Sequence, residues 1–250
     1  MSISVVIIVK NEAENLQRLL PTLAWANEIL ILDDHSTDNT KEIVEASGAV
    51  VFQHRFESFG KQKQKAVSLA KNDWILSLDA DEILTEALLN EIQALDLSNT
   101  QIHAFEIPRT HVFLGKVFKH GKESNDLIVR LFNKKYCNFD DAVVHEKVIV
   151  KGKAAKLSHP ILHYSYKDLA HYFQKFNTYT TQGAIKLHKK GKQRSLTLCF
   201  LSFPVYFFKH YFIYLNCLNG WQGLVWSYLS AGYHVVKYLK LFELNKKLNS

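Results

Sequence analysis

Four short apolar runs, at residues 3–9, 28–32, 50–52 and 74–78, constrain this chain more than any other feature. Each is short and rich in Ile, Val and Leu or aromatic residues, so each reads as a strand buried on both faces. Helical patterns lie between them at 14–20, from a cap within His35-Ser36-Thr37-Asp38 through Glu45, and at 62–70. Thr85 caps a further helix to about residue 95. This alternation predicts an α/β fold, a mostly parallel sheet flanked by helices. The 250 residues suffice for one large domain or for one domain with an appendage. The opening residues read as a strand and not as a signal peptide, since they show no basic leader or small-residue cleavage site.

Acidic residues recur at the C-terminal ends of two of these strands, as Asp33-Asp34 and as Asp79-Ala80-Asp81-Glu82. In open α/β sheets that edge is where ligands bind. Two carboxylates one residue apart suit a hard divalent cation shared with nucleotide phosphates. Between the two acidic ends, Gly60-Lys61-Gln62-Lys63-Gln64-Lys65 supplies cations, with Lys61 and Lys65 taken as the donor-binding pair. A solvated helix face is the alternative reading of that run. Neither G-x-x-x-x-G-K-[ST] nor G-x-G-x-x-G occurs, so a metal ion must carry the phosphate charge that backbone amides carry in such loops.

Charge divides the chain sharply. Residues 1–150 hold 16 Lys+Arg and 22 Asp+Glu (−6), whereas residues 151–250 hold 15 and 2 (+13), together the net +7. Such asymmetry points to a polyanion or an anionic membrane at the basic end. The three cysteines, Cys137, Cys199 and Cys217, show no metal-ligand spacing and read as reduced thiols.

Val9-Lys10-Asn11-Glu12, Asp33-Asp34-His35-Ser36-Thr37-Asp38 and Asp79-Ala80-Asp81-Glu82 follow the first, second and fourth strands in order. Together they resemble glycosyltransferase family 2, whose members have a GT-A fold and use nucleotide-diphospho-sugars. His35 stands where the family usually has a small residue. Downstream, Val144-His145-Glu146, His163-Tyr164-Ser165-Tyr166 and Gly220-Trp221-Gln222-Gly223 resemble the lipopolysaccharide-core β-1,4-glucosyltransferase branch, with Asn219 where relatives often have aspartate. That branch moves glucose from UDP-glucose to an inner-core heptose at the cytoplasmic face of the Gram-negative inner membrane.

The resemblance implies roles. Asp34 is expected to hydrogen-bond the uracil imide, and Asp33 to be structural or to face the ribose. Val9, Asn11, Glu12 and Ala80 join them as donor-binding positions. Asp81 is the expected ligand of Mg²⁺ or Mn²⁺, with Asp79 as a second ligand or ribose partner and His163 completing the site. An inverting transfer also needs a base for the acceptor hydroxyl. Glu146 is the choice, with His145 positioning it or touching a phosphate, and Asp140 and Asp141 are the alternatives. Arg130 alternates with apolar neighbours and reads as projecting from a strand, toward a phosphate, Glu146 or a structural ion pair.

The last third is helical, aromatic and basic. Leu169, Tyr172, Phe173, Phe176 and Tyr179 recur at helix spacing, and the basic run 186–194 follows. Residues 195–208 are almost entirely apolar but number 14 before Lys209-His210, short of the ~20 of a spanning helix. Aromatic, basic and non-spanning segments lie in membrane interfaces. The division expected is a GT-A catalytic domain over 1–165 and a helical region over 166–250 that meets an anionic membrane and a lipid-linked acceptor.

Competing readings share parts of this pattern. A nucleotidyltransferase would carry a glycine-rich basic loop after the first strand, and a Mg²⁺-binding receiver module would place its acidic pair after the first strand and be about half as long. The cationic third shows no motif that reads a nucleic-acid groove, so no nucleic-acid partner is expected. The oligomeric state is invisible in the sequence.

Overall fold

The computed structural model describes residues 2–98, 100–142 and 146–247. They form two compact units: residues up to Arg109 with Asn125–His163, and Thr110–Ser124 with the residues from Tyr164 onward. The second unit thus takes in a central stretch that the sequence grouped with the first.

The first unit is built on strands β1 (Ile3–Val9), β2 (Glu28–Asp33), β3 (Val50–Gln53) and β4 (Trp74–Asp79), parallel in the order β3-β2-β1-β4. Helices α1 (Ala13–Leu19), α2 (Thr40–Ala46) and α3 (Phe59–Leu69) connect them. Odd residues of β1 (Ile3, Val5, Ile7) join one core with Leu16, Leu19 and Val44, whereas Val6 joins a second with Ala66, Val67 and Ala70 of α3 and its C-terminus. Burial on both faces is why β1, β2 and β4 are apolar without alternation. β3 lies at the sheet edge and is largely exposed, contrary to the reading of residues 50–52 as buried on both faces. Register pairs Val9 with Asp33 and Ile8 with Asp79, so the acidic strand ends lie level.

β5 (Glu82–Leu84) and α4 (Glu86–Gln93) follow, and Thr85 accepts the Leu88 N–H (3.2 Å) as the expected cap. Beyond them come β6 (Ile102–Phe113), β7 (Lys116–Val117), β8 (Asp126–Asn133), β9 (Cys137–Phe139), β10 (Val148–Val150), β11 (Lys153–Lys156) and β12 (Ile161–His163). β8 runs antiparallel to β4, β6 antiparallel to β8, and β12 antiparallel to β5. The sheet is parallel in its first half and largely antiparallel in its second, the GT-A-like arrangement that the resemblance implied.

The second unit consists mainly of α5 (Leu169–Lys189), α6 (Leu196–Phe208) and α7 (Trp221–Lys247), with both α5 and α6 packed on α7. Ser195 caps α6 by accepting the Leu198 N–H (3.4 Å). Lys209-His210 does not interrupt this helix, contrary to the sequence reading. The backbone continues through a π-helical turn over Lys209–Ile213, giving 18 helical residues from Leu196 to Ile213. By length and composition this stretch can cross a membrane.

The turn into α7 explains the Gly220-Trp221-Gln222-Gly223 motif. Leu215 and Gly220 have positive φ (58° and 72°), and a Cβ on Gly223 would lie 1.9 Å from the Asn216 carbonyl oxygen. Asn219 accepts the Lys119 and His120 N–H groups (3.1 and 3.3 Å) and donates to the His120 carbonyl (2.8 Å) and Asn216 Oδ1 (3.0 Å). Its amide uses both donor and acceptor ends, and an aspartate there would lack the donor. Gly223→Ala should therefore lower stability by about 1–3 kcal/mol through forced backbone displacement. The check is the urea midpoint followed by fluorescence of Trp221 and Trp226.

Candidate active site

The loops after β1 and β2 are tied to each other before any ligand arrives. Asn11, at φ 55°, donates its N–H to Ser36 Oγ (2.8 Å), and its Oδ1 accepts the Thr37 N–H (2.7 Å). Asp33 is spent internally, since it accepts from both the N–H and the hydroxyl of Ser36. Glu12 starts α1: its N–H donates to Thr40 Oγ1 (2.9 Å) and its carboxylate accepts from Asn15 Nδ2 (2.6 Å). The Val9 carbonyl accepts the Asp34 N–H (2.9 Å). His35 has φ 50°, a left-handed conformation that favours glycine.

Asp34 has a different setting. Lys10 Nζ donates to Oδ2 (2.6 Å) and the Phe56 N–H to Oδ1 (3.0 Å). These two bonds, Lys10 first, hold its carboxyl below the usual carboxylate range. Lys10 was given no role by sequence reasoning.

At the end of β4 the structure assembles a line of alternating charges. Lys63 Nζ lies 2.7 Å from Glu146 Oε1 and 2.8 Å from Asp79 Oδ1, with 3% of its side chain exposed. Arg130 Nη2 lies 2.5 Å from Asp79 Oδ2 and 2.6 Å from the fully buried Glu82. Arg109 extends the line from Glu82 (3.6 Å) to Asp126 (2.6 Å). Burial opposes the charge of Asp79, but Arg130 and Lys63 outweigh it and hold the carboxyl well below its ordinary range. Burial likewise opposes the Arg130 charge, and Asp79 and Glu82 overcome it.

Both Asp79 oxygens thus already accept from protein cations, Lys63 on Oδ1 and Arg130 on Oδ2. Asp81 lies beyond Asp79 in the turn between β4 and β5, next to the buried Ala80. Register sets His163 of β12 opposite Glu82, which brings His163 Nε2 to 3.4 Å from Asp81 Oδ2. A carboxylate beside an imidazole, each about one-fifth exposed, fits Mn²⁺ and, through the carboxylate, Mg²⁺. Among the described residues no three His, Cys, Asp or Glu side chains gather as a metal set. Further ligands would have to come from phosphate oxygens and water.

Helix α3 organises the segment before β10. The Gly60 N–H donates to the Ala142 carbonyl (3.1 Å), and a Cβ at Gly60 would lie 2.2 Å from the Asp140 carbonyl oxygen. Gln64 donates to the Phe139 carbonyl (2.7 Å) and to Asp141 (2.9 Å), and Lys63 takes Glu146. Asp140 accepts the Ala142 and Lys147 N–H groups and so closes its own loop. Of the base candidates, Glu146 is the one joined to the strand end. His145 lies outside the described residues.

The cation that α3 sends inward is Lys63, where the sequence reading chose Lys61 and Lys65. Lys61 pairs with Glu57 at the surface (2.7 Å) and Lys65 is exposed. A signal for Lys63 was present, because positions 63, 66, 67 and 70 form one stripe at helix spacing with Ala66, Val67 and Ala70. Arg130 makes the structural ion pair, one of the three options left open for it.

The sequence matches the family described as glycosyl transferase family 2 over residues 4–149. An uncharacterized glycosyltransferase of Rickettsia bellii is 31% identical over 259 residues, spanning 99% of this chain and 88% of the relative. The lipopolysaccharide core biosynthesis glycosyltransferase LpsC of Rhizobium meliloti is 24% identical over 250 residues, spanning 97% and 93%. Among solved structures, S. aureus TarS is similar at TM-score 0.49 and 17% identity, over 73% of this chain and 40% of its own. Glucosyl-3-phosphoglycerate synthase from Mycobacterium tuberculosis, in complex with Mn²⁺, UDP and glucosyl-3-phosphoglycerate, is similar at TM-score 0.36 and 21% identity, over 44% of each chain. This chain spans less than half the length of either solved chain.

The ion line has consequences for stability. Arg130→Met removes the buried cation that Asp79 and Glu82 share, leaving Asp79 to Lys63 and Glu82 to the more distant Arg109, and should cost about 3–5 kcal/mol, read as a lower urea midpoint. The folded Asp79 carboxyl titrates below its unfolded value of about 3.9. Its contribution is therefore complete above that value and is lost as pH falls toward the folded one. The urea midpoint of the unaltered protein should fall more steeply below about pH 4 than that of Asp79→Asn.

Proposed function

Because the chain belongs to glycosyltransferase family 2, we propose that it is an inverting, metal-dependent hexosyltransferase. On this reading it moves glucose from UDP-glucose onto an inner-core heptose of a lipopolysaccharide precursor, at the cytoplasmic face of the inner membrane. The observation that carries the reading is the bridge from Glu146 through Lys63 to Asp79, which ties a candidate base to an acidic strand end level with Asp33-Asp34. The acceptor rests on the downstream motifs and on likeness to LpsC, described as a lipopolysaccharide core biosynthesis glycosyltransferase.

In this reading Asp34, kept ionised by Lys10 and the Phe56 N–H, accepts the uracil imide N–H. The Asn11–Ser36–Thr37 bonds hold the loop that presents it. Asp81 and His163 would hold the divalent cation, which supplies neutralising charge to the diphosphate as UDP departs. Asp79, already neutralised by Lys63 and Arg130, fixes the strand end from which Asp81 projects. Glu146 takes the proton of the acceptor hydroxyl as its oxygen attacks the anomeric carbon. The bond from that carbon to the diphosphate oxygen breaks on the opposite side, which inverts the configuration. Lys63, 2.7 Å from Glu146 Oε1, holds this carboxylate beside the end of β4.

Asp81→Ala should abolish Mn²⁺-dependent UDP release in a screen of UDP-sugars with lipid acceptor fractions, while its thermal transition stays near that of the unaltered protein. Turnover near normal would overturn the metal assignment. Glu146→Gln should lower kcat by about 10²–10⁴ with little change in the UDP-sugar KM, the signature of a lost general base. Asp34→Asn should do the reverse, raising KM for every UDP-sugar with a smaller effect on kcat.

A further inference from the structure

The outer side of α6 inverts the usual order of a surface helix. Cys199, Ser202, Phe203 and Tyr206 face inward, with Phe203 against Tyr228 and Tyr206 stacked on His234 of α7. The outward stripe is Leu198, Leu201, Val205, Phe208, Phe212 and Ile213, each between 47% and 65% exposed. Only 6% of the stretch Leu196–Ile213 is buried. The exposed apolar surface continues past the turn through Leu218 and Trp221, 59% and 61% exposed. Soluble monomers seldom expose contiguous apolar surface beyond a few hundred Å².

Charge identifies the occupant. Exposed Lys189, Lys190, Lys192 and Arg194 lead directly into α6, and exposed Lys209 sits near its end. Residues 151–250 carry 15 Lys+Arg against Asp168 and Glu243 alone. A second copy of this chain would bring the same cations against them. A nucleic acid would leave the apolar stripe uncovered. An anionic lipid surface covers the stripe with acyl chains and the cations with headgroups.

The placement is in the interface and not across the bilayer. The inner side of α6 is packed on α7, whose Gln222, Ser227, Ser230, His234 and Lys237 would follow it into hydrocarbon. We infer that the outer face of α6, with the turn to Trp221, docks this protein reversibly on an anionic bilayer, the helix lying in the headgroup plane. The inference concerns the second unit alone and needs no part of the transferase reading.

The test is flotation of the full chain with vesicles of phosphatidylcholine, with and without phosphatidylglycerol, together with Trp fluorescence. Binding should rise at least tenfold with phosphatidylglycerol, be reversed by high salt or alkaline carbonate, and shift Trp emission to the blue. Leu201→Asp with Phe208→Asp should reduce binding at least tenfold without altering the thermal transition, and Lys190→Glu with Lys192→Glu should remove the preference for phosphatidylglycerol. Asp81→Ala should bind as the unaltered protein does, which separates failure of this inference from failure of the catalytic one. Absence of binding by the full chain, or binding indifferent to both pairs of substitutions, overturns the inference. Resistance to carbonate extraction overturns it in favour of a spanning helix. A lipid-free dimer that the Leu201→Asp, Phe208→Asp variant dissolves overturns it in favour of a second copy.

Discussion

Two buried cations, Lys63 and Arg130, set the arrangement of everything around the end of β4. An unpaired charge at such depth costs several kcal/mol, so each must meet carboxylates at contact distance. They share Asp79 between them, and Lys63 then demands Glu146 while Arg130 demands Glu82. Five side chains from α3, β4, β5, β8 and the segment before β10 are thereby locked to one another. As a source of net stability such a chain is weak, because desolvation consumes most of the Coulombic gain. Its effect is positional: α3 cannot slide or rotate along the sheet without breaking a buried pair.

This positional role accounts for what the sequence made legible and what it did not. The strands β1, β2 and β4 and the acids at their ends were readable because two-sided burial writes continuous apolar runs, and a carboxylate that closes such a run stands out. The antiparallel half was not readable. The pairing of β8 with β4, and of β12 with β5, joins segments far apart in the chain, and no local pattern encodes the partner. His163 was recognised as a possible companion of Asp81 only through motif resemblance, and strand register is what brings the two within 3.4 Å.

The choice of Lys61 and Lys65 over Lys63 failed for a physical reason. Residues four apart share a helix face, so Lys61 and Lys65 point together to the solvated side while Lys63 points inward. The lone lysine belongs to the stripe of Ala66, Val67 and Ala70, where charge is expensive and therefore needs a partner. The α6 boundary failed differently. Lys209-His210 interrupts an apolar run but not a hydrogen-bonded helix, because long cationic side chains can lie outward while the backbone continues.

The same charge arithmetic separates Asp79 from Asp81, which the motif presents as equals. Glu146, Asp79 and Glu82 against Lys63 and Arg130 leave one formal negative charge inside the line. Asp81 adds a second, 3.4 Å from His163 Nε2. Two negative charges concentrated at a strand edge are what a divalent cation would balance, and an incoming diphosphate increases that demand. With both cations in place, Asp79 anchors the strand end, and Asp81 stands in the turn beyond it, 3.4 Å from His163.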